Sequence, residues 1–190
     1  VTDGINLQTD DSDIRTIPYG DRAGGTSTML AGASDVAFDE YYPTFSPTGD
    51  KLIAFSRIAI GNPNKGLAYN YAQPGTEVLV VPAAGGTATR LAANDPPACL
   101  SQPSPGVSNS WPKWAPGATD VGGKTYYWLV FSTLREFGHP QLYLTSVVVD
   151  DATGTIDGSH AALHIWNQPE TEHNHTPAWD FFDVPPSGPR

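Results

Sequence analysis

The densest group of side chains able to bind or activate a ligand is the run Glu170-Thr171-Glu172-His173-Asn174-His175. His173 and His175 are alternate residues, so in an extended segment both imidazoles face one side and could bind a divalent metal. Transition metals such as zinc accept imidazole ligands of this kind. The alternative is a polar loop leading into a strand at Pro177, because the sequence places no further ligand beside the pair.

Two groups of aspartates are candidates for a structural calcium ion. One is Asp10-Asp11 with Asp13, and the other is Asp150-Asp151 with Asp157. Carboxylate oxygens in loops are typical Ca²⁺ ligands, but neither group matches the EF-hand pattern. Solvated turns are the alternative interpretation. Ca²⁺ or another divalent metal is the only cofactor that the sequence suggests.

The sequence contains no recognisable catalytic motif. It has no G-x-S-x-G nucleophile elbow, and Cys99 is its only cysteine, which excludes an internal disulfide framework and a cysteine-based zinc site. His160 and His164 are four residues apart, but they lie in a segment interpreted as a strand, where the helical zinc pairing does not apply. We therefore expect a protein that binds rather than one that catalyses by itself.

Loops carry the remaining candidates for binding. The insertion Ile58 to Pro74 is rich in Gly, Asn and Tyr and is too long for an ordinary hairpin, and long loops on rigid scaffolds often carry function. The candidate binding residues in loops are Tyr69, Asn70, Tyr71, Arg135, His139 and Asn174. Arg57 and Arg135 both follow a Phe-Ser pair, and this recurrence also fits arginines that anchor turns.

Composition narrows the class of protein. The chain has 190 residues, 39% hydrophobic and 16% charged, with 19 Gly and 18 Pro, which favours many short strands and turns. The formal net charge of −10 makes binding to a nucleic-acid backbone improbable. No stretch approaches the roughly 20 apolar residues of a membrane-spanning helix. An all-β domain is predicted.

Two repeated sequence patterns indicate how that domain is organised. Tyr42 to Arg57 reads as two strands joined by a turn at Thr48-Gly49-Asp50. Its opening recurs at Trp111 to Pro116 and again at Thr176 to Asp180. A second pattern, Asp13 to Ala31, aligns with Glu77 to Ala92. Each repeat therefore contains four strands, which is typical of propeller blades.

The run Pro43-Thr44-Phe45-Ser46-Pro47-Thr48-Gly49-Asp50-Lys51-Leu52-Ile53-Ala54-Phe55 resembles the WD40-like (PD40) repeat of TolB-type β-propellers. Thr48 stands where that family usually has Asp, and the later copies retain less of the motif. The resemblance covers about Ile14 to Asp180 and implies a propeller that is periplasmic or extracellular. Such propellers serve as binding scaffolds and as gating domains on peptidases, so the family leaves the function open.

The repeats define the expected organisation of a single partial propeller. Residues 1–35 end one blade, 36–95 form a second, 106–168 form a third, and 174–190 begin a further blade and a tail. About three blades' worth of strands cannot close a ring, since propellers have about four to eight blades. We expect the chain to belong to a roughly six-bladed propeller completed by other chains, by a further segment or by copies of itself.

Two functions fit this organisation. The first is a non-catalytic binding and assembly scaffold. The alternative is the propeller portion of a multi-chain hydrolase or other enzyme whose catalytic residues lie elsewhere. Trp111, Trp114, Trp128 and Trp179 could form a sugar platform, but packing between blades is the favoured interpretation because three of them occupy repeat positions.

Overall fold

The computed structural model describes residues 12–62, 73–95, 108–135 and 138–180. Strands dominate these residues, and their helical structure is limited to the single 3₁₀ turn Ala92–Asn94. The predicted all-β class is confirmed. The described part of the chain contains no helix long and apolar enough to cross a membrane.

Thirteen strands follow one another in the described parts of the chain. Their bounds are β1 Arg15–Thr16, β2 Tyr19–Gly20, β3 Ala23–Gly24, β4 Thr28–Met29, β5 Phe38–Phe45, β6 Leu52–Ala59, β7 Glu77–Pro82, β8 Thr89–Arg90, β9 Ser110–Val121, β10 Lys124–Thr133, β11 Gln141–Asp150, β12 Ile156–Ser159 and β13 Leu163–His164.

These strands form three successive antiparallel sheets and one small hairpin. Sheet 1 pairs β1 with β4, and the hairpin β2–β3 projects between them. Sheet 2 has the order β5-β6-β7-β8. Sheet 3 has the order β9-β10-β11, with both β12 and β13 paired to the outer side of β11. Consecutive strands are neighbours within each sheet, as in a meander.

Sheet 2 is buried on both faces because its two central strands carry the continuous apolar runs Leu52 to Phe55 and Val78 to Val81. We call the face toward sheet 3 its leading face and the face toward sheet 1 its trailing face. The leading face presents Leu52, Ala54, Val78 and Val80 to a cluster that includes Leu129, Phe131 and Tyr143 of sheet 3. The trailing face presents Ile53, Phe55, Leu79 and Val81 to a cluster with Ile14, Leu30 and Ala33. Sheet 2 is therefore the middle layer of three.

Sheets 2 and 3 share one register. Phe45 lies opposite Ile53 in sheet 2, and Trp114 lies opposite Leu129 in sheet 3. Ile53 and Leu129 each lie two residues before the Phe of a Phe-Ser pair, so Phe45 and Trp114 are equivalent, as the sequence predicted. The register shift on the first strand also recurs, between Tyr41 and Thr44 in one sheet and between Ser110 and Lys113 in the other.

The outer strands repeat through all three sheets. Arg15 pairs with Met29 in sheet 1, Leu79 with Arg90 in sheet 2, and Tyr143 with His164 in sheet 3. The backbone bond that follows is also shared, from Leu30 N to Ile14 O, from Leu91 N to Val78 O and from Ile165 N to Leu142 O. Sheet 1 thus corresponds to the outer half of sheets 2 and 3.

A tryptophan hydrogen bond joins sheet 3 to sheet 2, and a second one joins the segment after sheet 3 to sheet 3. Trp114 donates its indole N–H to Thr44 O at 3.0 Å, across the interface between sheets 2 and 3. Trp179 donates in the same way to Lys113 O at 3.1 Å. Thr44 and Lys113 each precede the equivalent aromatic residue, so both bonds connect corresponding atoms. Residues 176–180 therefore occupy the place where a further first strand would begin.

The structure differs from the predicted strands in several details. The segment that contains His160 and His164 was interpreted as a strand, whereas His160 lies between β12 and β13, which divide that edge between them. Trp114 is 7% exposed, as expected for a residue between sheets. Trp179 is 38% exposed and Phe45 is 52% exposed, because no described sheet packs over either ring. Trp111 and Trp128 are half-buried.

Candidate binding rim

The candidate loop residues meet at one end of the sheets, which we call the rim. The strands β5, β7, β9 and β11 start at this end, and β6 and β10 finish there, because neighbouring strands are antiparallel. Tyr69, Asn70 and Tyr71 lie outside the described residues. Arg135, His139 and Asn174 all belong to the rim. The three candidate residues that the structure describes therefore lie at the same end of the sheets.

His139 and His173 lie against each other at the rim. Their ring centroids lie 4.4 Å apart with the planes tilted by 36°. His139 belongs to the loop before β11, and His173 belongs to the loop after β13. The two loops are joined by a backbone hydrogen bond from Asn174 N to Pro140 O, 2.8 Å long. The sequence named both histidines but gave no reason to pair them.

Gln141 fastens the second loop to the sheet. Its amide nitrogen donates to Glu172 O at 2.7 Å and to Pro169 O at 3.3 Å, and the residue is 1% exposed. A buried side-chain amide that binds loop carbonyls in this way fixes the loop path. The exposed side chains between these anchors, Glu170 and Thr171, are thereby presented on a defined turn.

The predicted metal pair has different neighbours in the structure. His173 packs against His139, whereas the His175 ring lies 5.8 Å from that of Trp111 and its Nδ1 is 2.9 Å from Thr176 Oγ1. Within the described ranges, no group of three His, Cys, Asp or Glu residues is arranged to hold a metal ion. The pair therefore remains a prediction, without a third ligand in the described structure.

The second aspartate group forms turns and an ion pair. Asp150 Oδ1 accepts hydrogen bonds from the backbone of Thr153 and Ala152 and from the Thr153 hydroxyl, and these bonds lower the pKa of Asp150. Asp157 pairs with Lys124, whose pKa that bond raises. The carboxylates of Asp150 and Asp157 therefore have partners within the protein. Asp10 and Asp11 lie outside the described residues.

Arg135 joins sheets 2 and 3 at the rim. Its Nη2 donates to Ala93 O at 2.6 Å and to Asn109 Oδ1 at 3.0 Å. Its guanidinium also lies 5.0 Å from the centroid of the Tyr143 ring, within the range of a cation–π contact. These contacts tie Arg135 to the scaffold, so its surroundings fit the anchoring interpretation that its recurrence suggested.

A second arginine network stabilises the edge of sheet 2. Arg90 binds Glu77 through Nε and both oxygens of Asp95 through its terminal nitrogens, at 2.8 and 2.9 Å. The bond from Arg90 lowers the pKa of Asp95, and the same bond raises the pKa of Arg90. Arg57 lies 3.5 Å from Glu77 and stacks over the Phe38 ring. Arg57 is therefore an anchor as well.

Two side-chain amides, the buried Asn94 and the half-buried Gln168, bind backbone groups at the rim end of the outer strands. Sequence reasoning missed both. Asn94 accepts from Val78 N and donates to Val78 O and Leu91 O, all at 2.8 to 3.0 Å. Gln168 does the same for Leu142 N, Leu142 O and Ile165 O. The available signal was an amide three residues after Leu91 and after Ile165, which are corresponding positions of two repeats.

Asn109 and Tyr41 complete the buried part of the rim. Asn109 donates to Asn94 Oδ1 at 3.0 Å, so the amides of the two sheets are connected. Tyr41 OH lies 2.9 Å from Thr76 Oγ1, and burial raises the pKa of Tyr41, which keeps the phenol protonated at neutral pH. The rim thus has a rigid buried layer beneath its exposed loops.

Comparison with known proteins gave no significant match to a family model, a curated protein or a solved structure. The TolB-like resemblance rests on the motif residues alone. What the chain itself provides is a repeated all-β scaffold with a polar rim.

Proposed function

We propose that this chain is a propeller-type scaffold that works by binding a partner at its rim, in the periplasm or outside the cell. The observation that carries the scaffold is the repeated tryptophan bond, from Trp114 to Thr44 O and from Trp179 to Lys113 O. A bond between corresponding atoms at two successive junctions requires the same relation between successive units. Repetition of one such relation around an axis is how propeller blades are arranged.

The rim is the surface proposed for the partner. Its exposed loops are held by a buried layer, so a partner would meet side chains already in position, and preorganisation reduces the entropic cost of binding. The adjacent rings of His139 and His173 belong to it, and the exposed Glu170 and Glu172 precede His173 in the same loop. Since the whole chain carries a net charge of −10, a protein is the partner class favoured over nucleic acid.

Ser146 and His160 form a pair that could begin a hydrolytic site, but their surroundings argue against this role. Ser146 Oγ lies 2.8 Å from His160 Nδ1, but Ser146 is 3% exposed and His160 stacks loosely on Tyr126. A nucleophile needs access to its substrate. The alternative function, a propeller serving an enzyme, therefore assigns the chemistry to another chain.

Site-specific photo-crosslinking in cells of the source organism tests the binding function. A photoreactive residue replaces His173 at the rim, and the matched control replaces Val121, which is 59% exposed at the opposite end of β9. We expect one discrete crosslinked protein from position 173 and none from position 121. Equal crosslinking at the two positions, or none at either, would overturn the proposal. A crosslinked partner with hydrolase activity would establish the enzyme-associated alternative.

A further inference from the structure

His139 and His173 differ from the other histidines in the partners of their rings. The Nδ1 atoms of His160 and His175 lie 2.8 and 2.9 Å from the hydroxyl group of another residue. The His164 ring lies 5.0 Å from a tyrosine ring, centroid to centroid. Among the described residues, His139 and His173 make a ring contact with each other and no hydrogen bond through a ring nitrogen. Their imidazole lone pairs are therefore available to a ligand.

The two rings are close enough to bind one metal ion. Their centroids are 4.4 Å apart. A zinc–nitrogen distance of about 2.0 to 2.1 Å places the centroid of a bound imidazole about 3.2 Å from the ion. Two rings bound at an angle of about 90° to 110° then have centroids about 4.5 to 5.2 Å apart. His173 is exposed and His139 is half-buried, so small changes in side-chain torsion can reach this geometry and the ion can enter from solvent.

The backbone beside each histidine is held in place. Asn174 N donates to Pro140 O at 2.8 Å, which joins the residue after His173 to the residue after His139. On the other side of His173, Glu172 O accepts a hydrogen bond from Gln141 at 2.7 Å. The two loops are therefore fixed to each other where the histidines lie. A ligand pair that is already positioned loses less entropy when it binds an ion.

Gln141 has an acceptor that its known contacts leave unused. It follows His139 by two residues, and its amide nitrogen contacts the residue before His173. Its Oε1 is buried and accepts no hydrogen bond from the described part of the chain. Buried polar atoms of this kind are uncommon, and a bound water or ion is one explanation for them. A water molecule bound to a metal ion at the histidines could donate to this oxygen, as groups around metal ligands commonly do.

We propose that His139 and His173 bind one divalent transition-metal ion of the Zn²⁺ type, with water completing its coordination. Two imidazoles favour such an ion over Ca²⁺ or Mg²⁺, which prefer oxygen ligands. No third His, Cys, Asp or Glu joins them in the ranges that the structure describes, so the protein supplies two of the ligands. This pair differs from the alternate residues His173 and His175, and it does not depend on the partner proposed for the rim.

Calorimetric titration of the full 190-residue chain with Zn²⁺ alone tests the site. We expect one ion per chain, and His139→Ala and His173→Ala should each raise the dissociation constant at least about tenfold. In NMR spectra of the histidine rings, Zn²⁺ should shift two of the five residues, and the single variants should identify them as His139 and His173. Because the ion joins two loops, Zn²⁺ should also raise the Tm of the wild type and leave that of both variants unchanged.

Two further variants are the controls. His175→Ala removes the other histidine of the loop, and Cys99→Ser removes the only thiol of the chain. Both should keep the dissociation constant for Zn²⁺ within about twofold of the wild type. Circular dichroism shows whether each variant is folded. The proposal is overturned if Zn²⁺ binding does not saturate, if His175→Ala weakens it as much as His139→Ala does, or if only Cys99→Ser weakens it. Crosslinking from the rim tests partner binding separately.

Discussion

Tyr42 and Trp111 occupy equivalent positions in sheets 2 and 3, and their rings stack with centroids 4.4 Å apart and planes 14° from parallel. Both residues have left-handed backbone, with φ of 54° and 57°, and a proline follows each. They mark the register shift on the first strand of each sheet. Two bulky residues in this conformation show that the stack is held by the fold around it.

Because Tyr42 has a left-handed backbone, we expect glycine to be more stable than alanine at this position, which reverses the usual order in a strand. Tyr42→Ala and Tyr42→Gly both remove the ring, but only glycine adopts φ of 54° without steric cost. We expect the glycine variant to be more stable than the alanine variant by about 1 kcal/mol, measured by urea unfolding. At Thr119, an exposed position in β9, the order should reverse. Equal stability of the two Tyr42 variants would contradict the backbone argument.

Removing the side-chain amide of Asn94 or of Gln168 should lower the stability of the fold, and the loss should be larger at the more buried residue. Asn94→Ala leaves Val78 N, Val78 O and Leu91 O without their side-chain partner in a position that is 1% exposed. We expect a loss of about 3 kcal/mol in the free energy of unfolding. Gln168→Ala removes the same bonds at a half-buried position, where water can replace them, so its cost should be nearer 1 kcal/mol. A cost below about 0.5 kcal/mol for Asn94→Ala would show that the amide does not support the strand.

The ion pair of Arg90 with Asp95 predicts a dependence of stability on acid pH. The pKa of Asp95 is lowered in the folded chain, so its contribution is complete above the unfolded value of about 3.9 and is lost as pH falls through the lower folded pKa. Asp95→Asn should therefore lower the Tm at pH 7 slightly, and the difference from wild type should shrink below about pH 4.

The size of that effect is limited because the Asp95 side chain is 57% exposed. Differential scanning calorimetry between about pH 2.5 and pH 7 at low salt measures it. Asp50→Asn is the matched control, since Asp50 is exposed and asparagine also tolerates its left-handed backbone. A Tm difference that stays constant down to the lowest pH would contradict the assignment to Asp95.

Local chemistry explains what the sequence predicted well. The turn between β5 and β6 uses Thr48, Gly49 and Asp50, all with positive φ, and the continuous apolar runs of β6 and β7 match a sheet buried on both faces. Such signals lie within a few residues of each other and can be read directly. The repeat of the aromatic position at Phe45 and Trp114 was likewise visible as a spacing.

Long-range contacts explain what the sequence could not predict. The pairing of His139 with His173 depends on the path of two loops 34 positions apart, counted from 139 to 173. The roles of Asn94 and Gln168 depend on carbonyls whose positions the outer strands fix. The exposure of Trp179 depends on which sheet lies over it, and its residue type is the same as that of the buried Trp114.

The close packing between sheets 1 and 2 requires glycine at position 32. Gly32 has φ of +89°, and a Cβ at this position would lie 2.1 Å from Gly86 O and 3.0 Å from Val81 Cγ2. The backbone of Gly86 cannot move away freely, because its N–H donates to Ala31 O at 3.0 Å. Gly32→Ala should therefore separate the two sheets locally.

We expect Gly32→Ala to lower the free energy of unfolding by about 3 kcal/mol or more, since both the overlap and the left-handed backbone oppose it. Gly117→Ala is the matched control: its Cβ would meet nothing within 4 Å, so the change should stay within about 0.5 kcal/mol. Urea unfolding measures both, and binding of a dye for apolar surface reports whether Ile53 and Phe55 become exposed. If Gly32→Ala is as stable as Gly117→Ala, sheet 1 does not pack on sheet 2 as described.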